Sequence, residues 1–103
     1  MYRPGVRRWC AVTSYHKDKE ALLKRLRRIE GQVRGIQRMV EDDKYCVDIL
    51  VQIAAARAAL DQVGLILLED HTRGCVARAI KQSEGDADAA ITELTDVLRR
   101  FLR

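Results

Sequence analysis

Three side chains able to bind a soft metal stand in the stretch from Tyr45 to Cys75: Cys46, His71 and Cys75. If that stretch is one helix, the 25 residues from Cys46 to His71 and the 29 from Cys46 to Cys75 amount to about seven and eight whole turns. All three side chains then share one face. At 1.5 Å of rise per residue, however, Cys46 lies about 37 Å along the axis from His71, beyond the reach of any metal–ligand bond. One chain cannot close such a site, whereas an antiparallel second copy brings its own Cys46 beside His71 and Cys75. The spacing therefore predicts a dimer with two shared sites. Two thiolates and an imidazole select Cu(I) or Zn(II), and zinc asks for a fourth ligand in a closed tetrahedron. Three ligands without an evident fourth favour Cu(I).

The elements that must carry these residues read as all-α. The 103 residues are 48% hydrophobic, with one Pro and six Gly, and make one domain's worth of chain. From about Lys17 to Glu41, Leu22, Leu26, Ile29, Val33, Ile36 and Val40 recur at alternating spacings of four and three, a heptad seam on a first long helix. The run Glu41-Asp42-Asp43-Lys44 breaks the period and is a short connection, with Asp42 or Asp43 expected to cap the next helix. That second helix carries Ile49, Leu50, Ile53, Leu60, Val63, Ile66 and Leu67 around an alanine-rich middle, and it is expected to continue past Gly74 through Ile80, with Gly85 as its terminator. Asp86 or Asp88 would cap a third helix reading Ala90, Ile91, Leu94, Val97, Leu98 and Phe101. One short helix cannot cover two long ones, so apolar seam must be buried between subunits.

Charge divides the chain. Residues 1 to 40 carry eleven Lys/Arg against three Asp/Glu, and residues 41 to 103 carry eight against twelve. Three acids are too few partners for eleven bases, so the positive end calls for a polyanion, and nucleic acid is the natural one. Residues 1–16 read as a flexible basic arm and 17–103 as the helical domain. Cys10 and His16 fall on the arm or its edge, and either could add a ligand, although an unconstrained arm argues against it. No uninterrupted run of 18 apolar residues occurs, and the region around Met1 lacks the apolar core of a signal peptide, so a cytoplasmic protein without a membrane partner is expected. In a reducing cytosol three cysteines are expected as ligands or redox groups, not as a disulfide framework.

The segment RLRRIEGQVRGIQRMVEDDKYCVDILVQIAAARAAL, followed by the HxxxC of His71 and Cys75, resembles the copper-sensing repressors of the CsoR/RcnR group from about Lys17 to the C-terminus. The resemblance implies a three-helix subunit with two long antiparallel helices and no helix-turn-helix. It also implies a dimer of antiparallel dimers forming a flat homotetramer. Trigonal Cu(I) would sit between Cys46 of one subunit and His71 and Cys75 of its partner, with Tyr45 and Glu93 hydrogen-bonding towards the histidine. In the nickel and cobalt sensors of that group a histidine replaces the second cysteine; Cys75 argues for copper. The formaldehyde-responsive branch lacks that cysteine and the persulfide branch lacks the histidine, and both are present here.

The expected function is that of a Cu(I)-responsive transcriptional repressor, not an enzyme and without an organic cofactor. The apo tetramer would hold operator DNA through Lys24, Arg25, Arg27, Arg28, Arg34 and Arg57, by phosphate contact and DNA shape. The family pattern best supports Arg25 and Arg57, while Gln62 stands where some relatives place an arginine. Copper would lower DNA affinity and release copper-export or sequestration genes. The alternatives are a persulfide, nickel or zinc sensor of the same fold, and a cytosolic copper buffer, which would need no basic end. A thiol redox enzyme would use Cys46 and Cys75, but there is no CxxC motif.

Overall fold

The computed structural model describes residues 9–10 and 14–102. Most of the expected basic arm, residues 1–8 and 11–13, lies outside the described residues. Every described element is helical: a 3-10 turn at His16–Asp18, α1 at Lys19–Glu41, α2 at Cys46–His71, a π-helical turn at Thr72–Val76, α3 at Ala77–Gln82 and α4 at Glu84–Phe101. The all-α expectation holds. Helix α2, the π turn and α3 run on without interruption over Cys46–Gln82, 37 residues. By length and a mean hydropathy of 1.5 over 18 residues, this helix is long and apolar enough to cross a membrane, and only 11% of that stretch is buried in the chain. The expectation of no such span rested on uninterrupted apolar residues, whereas an average tolerates a charge.

The chain divides into two compact units. In Lys17–Ile66, α1 and α2 form an antiparallel hairpin: Leu22 and Ile29, from the first half of α1, are buried against Val63, with Ala59 and Ile66 packed alongside. The turn between them corrects the expected capping. Asp42 and Asp43 do not cap α2, which begins only at Cys46; they close α1 instead. Asp43 is left-handed at φ 54°, and the amides of Asp43 and Lys44 donate to the carbonyls of Val40 and Met39, at 3.1 and 3.0 Å. This is the Schellman arrangement, usually built on glycine, with a short polar side chain tolerating the left-handed site.

The second unit is Leu67–Arg103 with the described residues of Met1–His16. Its core joins Cys75 and Ala79 to Ala90 of α4 and to Trp9. The second long helix stops at Gln82, not at Gly85, which lies inside α4. Ser83 turns the chain: its extended backbone ends α3, and its hydroxyl accepts the Asp86 amide at 3.0 Å, so Ser83 caps α4 in place of the expected Asp86 or Asp88. Ser83→Ala should lower stability by about 1 kcal/mol. Urea unfolding at fixed protein concentration would read this as an earlier midpoint with unchanged slope.

Candidate metal centre

His71 ends α2, and Cys75 follows one turn later inside the π-helical segment. That turn has an identifiable cause. The amide of Cys75, which a regular helix would spend on a carbonyl four residues back, donates instead to the hydroxyl oxygen of Ser14 at 2.9 Å. Insertion of a side chain into the helical ladder is one of the few ways to distort it. The helix widens in response, and the Ala77 amide reaches five residues back to Thr72. Thr72 loosens the preceding turn as well, its hydroxyl donating to the Leu68 carbonyl at 2.8 Å.

Gly74 makes this approach possible. A β-carbon at that position would overlap both the hydroxyl and the β-carbon of Ser14. Gly74→Ala should leave the helix intact, since alanine favours a helix by about 1 kcal/mol over glycine, while driving Ser14 off the π turn. Trp9, the single tryptophan and 7% exposed, packs on the same core, so its emission reports the event. The expected result is a red-shifted, more quenchable tryptophan with unchanged far-ultraviolet circular dichroism; an unshifted emission would show that Ser14 does not hold the segment.

Around Cys75 the donors converge. One ligand atom each from Cys10, His71 and Cys75 all lie within 4.8 Å of one another. Cys75 is fully buried, and Cys10 and His71 are half-buried. The Ser14 hydroxyl hydrogen-bonds to the Cys75 sulfur at 2.9 Å, and the Arg78 guanidinium reaches the same sulfur at 3.6 Å. Cys10 and Cys75 are joined as a disulfide, with α-carbons 4.9 Å apart, where the sequence favoured ligands or redox groups over a disulfide framework. A pairing across 65 residues depends on the fold and leaves no trace in spacing. Two sulfurs and one imidazole nitrogen are a soft donor set that, once the sulfurs are reduced, fits a closed-shell d10 cation such as Cu(I) or Zn(II).

Of the three ligands expected from the sequence, His71 and Cys75 come together and Cys46 does not. Cys46 opens α2 as an exposed, free thiol, a helix length from His71. The residue that the sequence reading set aside, as lying on an unconstrained arm, is Cys10, which the structure brings to His71 and Cys75. Tyr45, beside Cys46, is 69% exposed, and Glu93 is half-buried on α4, the helix that packs on the π turn and α3. Among the expected DNA contacts, Lys24, Arg25, Arg27, Arg28, Arg34 and Arg57 are all exposed. Arg25 and Arg28 line a shallow groove with Ile29, Gln32 and Ala59, and Arg34 is spanned to Glu30 at 3.6 Å.

An all-α chain that gathers thiol and imidazole donors at one end of a long helix and leaves arginines exposed along another has the makings of a metal-responsive regulator. A family model described as metal-sensitive transcriptional repressor matches residues 18–100, and the chain belongs to that family. It is similar to the copper-sensing transcriptional repressor CsoR of Bacillus subtilis, with 60% identity over 87 residues, 84% of each chain. It is also similar to the copper-sensing repressor RicR of Mycobacterium tuberculosis, with 46% identity over 93 residues, 90% of this chain and 97% of that one. Among solved structures, the Cu(I)-bound copper-sensing repressor CsoR from Geobacillus thermodenitrificans superposes with a TM-score of 0.78 at 55% identity, covering 85% of this chain and 90% of the other. The nickel-responsive regulator InrS superposes with a TM-score of 0.67 at 41% identity, covering 80% and 90%.

Proposed function

We propose that this chain is a Cu(I)-responsive transcriptional repressor acting in the cytoplasm, with residues 17–103 as its metal-sensing, DNA-binding domain. The observation that carries the reading is the convergence of the Cys75 sulfur and the His71 imidazole in a chain 60% identical to a copper-sensing repressor. His71 and Cys75 hold the metal together with Cys46 of a second copy. Bound Cu(I) supplies a cation that draws thiolate and imidazole donors from two chains onto one centre. Cys75 is held by Ser14 and by core packing, so its sulfur is positioned before any metal arrives. Tyr45, adjacent to Cys46, and Glu93 on α4 orient the imidazole and fix which nitrogen faces the metal.

The second copy is needed on packing grounds. Helix α2 is apolar on every side, a pattern that belongs to a buried helix. Within the chain only Ala56, Val63 and Asp70 of α2 are buried, while Val47, Leu50, Val51, Ile53, Leu60 and Leu65 are exposed. Antiparallel pairing of α2 with a second α2 covers this surface and carries Cys46 to the partner's site. Two such dimers make the tetramer, and the exposed arginines of α1 with Arg57 make its DNA face. Metal binding favours a tetramer state with weaker hold on DNA, and by reciprocity operator DNA weakens metal binding by the same factor.

An anaerobic Cu(I) titration of the reduced protein against a competing chelator, with X-ray absorption at one equivalent, tests the reading. The expected result is one tight equivalent per chain in a shell of sulfur and nitrogen, with loss of operator binding over the same range. Weak copper uptake, or tight uptake that leaves the DNA complex unchanged, would overturn it.

A further inference from the structure

Three separate contacts dock the chain on either side of Cys10. Trp9 is buried against Cys75, Ala79 and Ala90. The Arg78 guanidinium donates to the Trp9 carbonyl at 2.8 Å, fixing the backbone immediately before Cys10. Ser14 is bound twice to Cys75, through its amide and its sulfur, four residues beyond. Between an anchored Trp9 and an anchored Ser14, the sulfur of Cys10 has been delivered to the place where His71 and Cys75 offer their own ligand atoms.

We propose that, in the reduced protein, Cys10 is a metal ligand from the same chain, its thiolate joining the Cys75 thiolate and the His71 imidazole around the soft cation. This rests on the Cu(I) reading above and adds to it a donor set of two sulfurs and one nitrogen that a single subunit can supply. Cys46 of a second copy is then not the sole source of the second thiolate. Copper is captured first by the cis set and then, as Cys46 of a second copy joins, held in a three-sulfur, one-nitrogen shell. That shell is the closed tetrahedron zinc prefers, so Cys10 also bears on which metal is held.

The disulfide and the metal site exclude one another, because the same two sulfurs serve both. A dithiol reductant opens the pair by giving two electrons and two protons to Cys10 and Cys75 and closing into its own cyclic disulfide. Metal binding then releases the thiol protons as the thiolates bind.

The test uses the full-length reduced chain and Cu(I) alone. In wild-type protein, alkylation of Cys10, followed by mass spectrometry, should slow about tenfold or more when one equivalent of Cu(I) is added, as expected of a thiolate withdrawn from reaction. Cys46→Ala should still take up one Cu(I) per chain in a two-sulfur, one-nitrogen shell. Cys10→Ala in that background should drop the sulfur count to one and lower affinity by roughly 100-fold, at least the loss caused by removing an outer-shell partner. Tight copper uptake by wild type with Cys10 alkylated at an unchanged rate would overturn the proposal and leave the function standing. So would a Cys46→Ala protein that no longer binds copper. Failure of wild type to bind Cu(I) at all would instead remove the Cu(I) reading itself, and this proposal with it. The alkylation arm needs no variant, so misfolding of Cys10→Ala would not blunt the result.

Discussion

Cys75→Ala is expected to disconnect copper from DNA while leaving a protein that still represses. Structural metal sites held by four ligands bind with about 10–16 kcal/mol, so one ligand carries roughly 3–4 kcal/mol. At 1.4 kcal/mol per factor of ten, Cu(I) affinity should fall by about two to three orders of magnitude. The fold should survive. Alanine removes one atom from a position walled by Trp9, Ala79 and Ala90, and the hydrogen bond from the Cys75 amide to Ser14 does not need the sulfur. Anisotropy of labelled operator DNA should therefore show near-normal binding by the apo variant and no release at copper levels that clear the wild-type complex. If the variant were released as readily as wild type, Cys75 would not be part of the sensing site.

The complementary change is Arg25→Ala with Arg57→Ala. Each phosphate contact contributes about 0.9 to the slope of log affinity against log salt. If the proposed tetramer presents both arginines from at least two subunits, the variant should lose about 3–4 from that slope. Affinity near 0.1 M salt should fall by roughly 100-fold or more, since six to ten such contacts are worth about 10³–10⁵ between 50 and 200 mM. Both side chains are exposed, so stability should hardly change, and neither belongs to the donor cluster, so Cu(I) affinity should stay at the wild-type value measured without DNA. A copper buffer without DNA function would show no salt-sensitive binding to lose. An unchanged salt slope would move the DNA face elsewhere on the chain.

The sequence carried the helices and the local pair of the donor cluster, but not the approach of Cys10, for a physical reason. The three-and-four spacing from Leu22 to Val40 is a local signal, and it places the buried Leu22 and Ile29 correctly on the α1–α2 seam. His71 and Cys75, four residues apart on one helix, are equally local. What local periodicity could not contain is the effect of Ser14 on a turn 61 residues away. The π-helical segment exists because that hydroxyl takes the Cys75 amide, and Cys10 reaches the site because Trp9 finds a pocket on α3 and α4. A lone tryptophan in a basic leader was the available hint, since a side chain of that size seldom stays in water. The capping errors are of another kind. Ser83 prevailed over Asp86 and Asp88 because its extended backbone lets the hydroxyl face the amide three residues on. Asp43 took the left-handed position usually given to glycine, so the acids read as the start of α2 became the end of α1.

The uncovered apolar surface of α2 also bears on how long the protein lasts in the cell. Leu50 and Val51 are 61% and 58% exposed in the single chain, and side chains of this kind are what chaperones and proteases recognise in incomplete proteins. For a protein whose subunits are not stable alone, survival is set by protomer concentration as much as by sequence. On the proposed assembly, chains made in excess of their partners would be removed, and assembled ones, with these residues covered, would be spared. Assembly would thus act as a filter on turnover, and the pool that persists would be the pool able to occupy an operator.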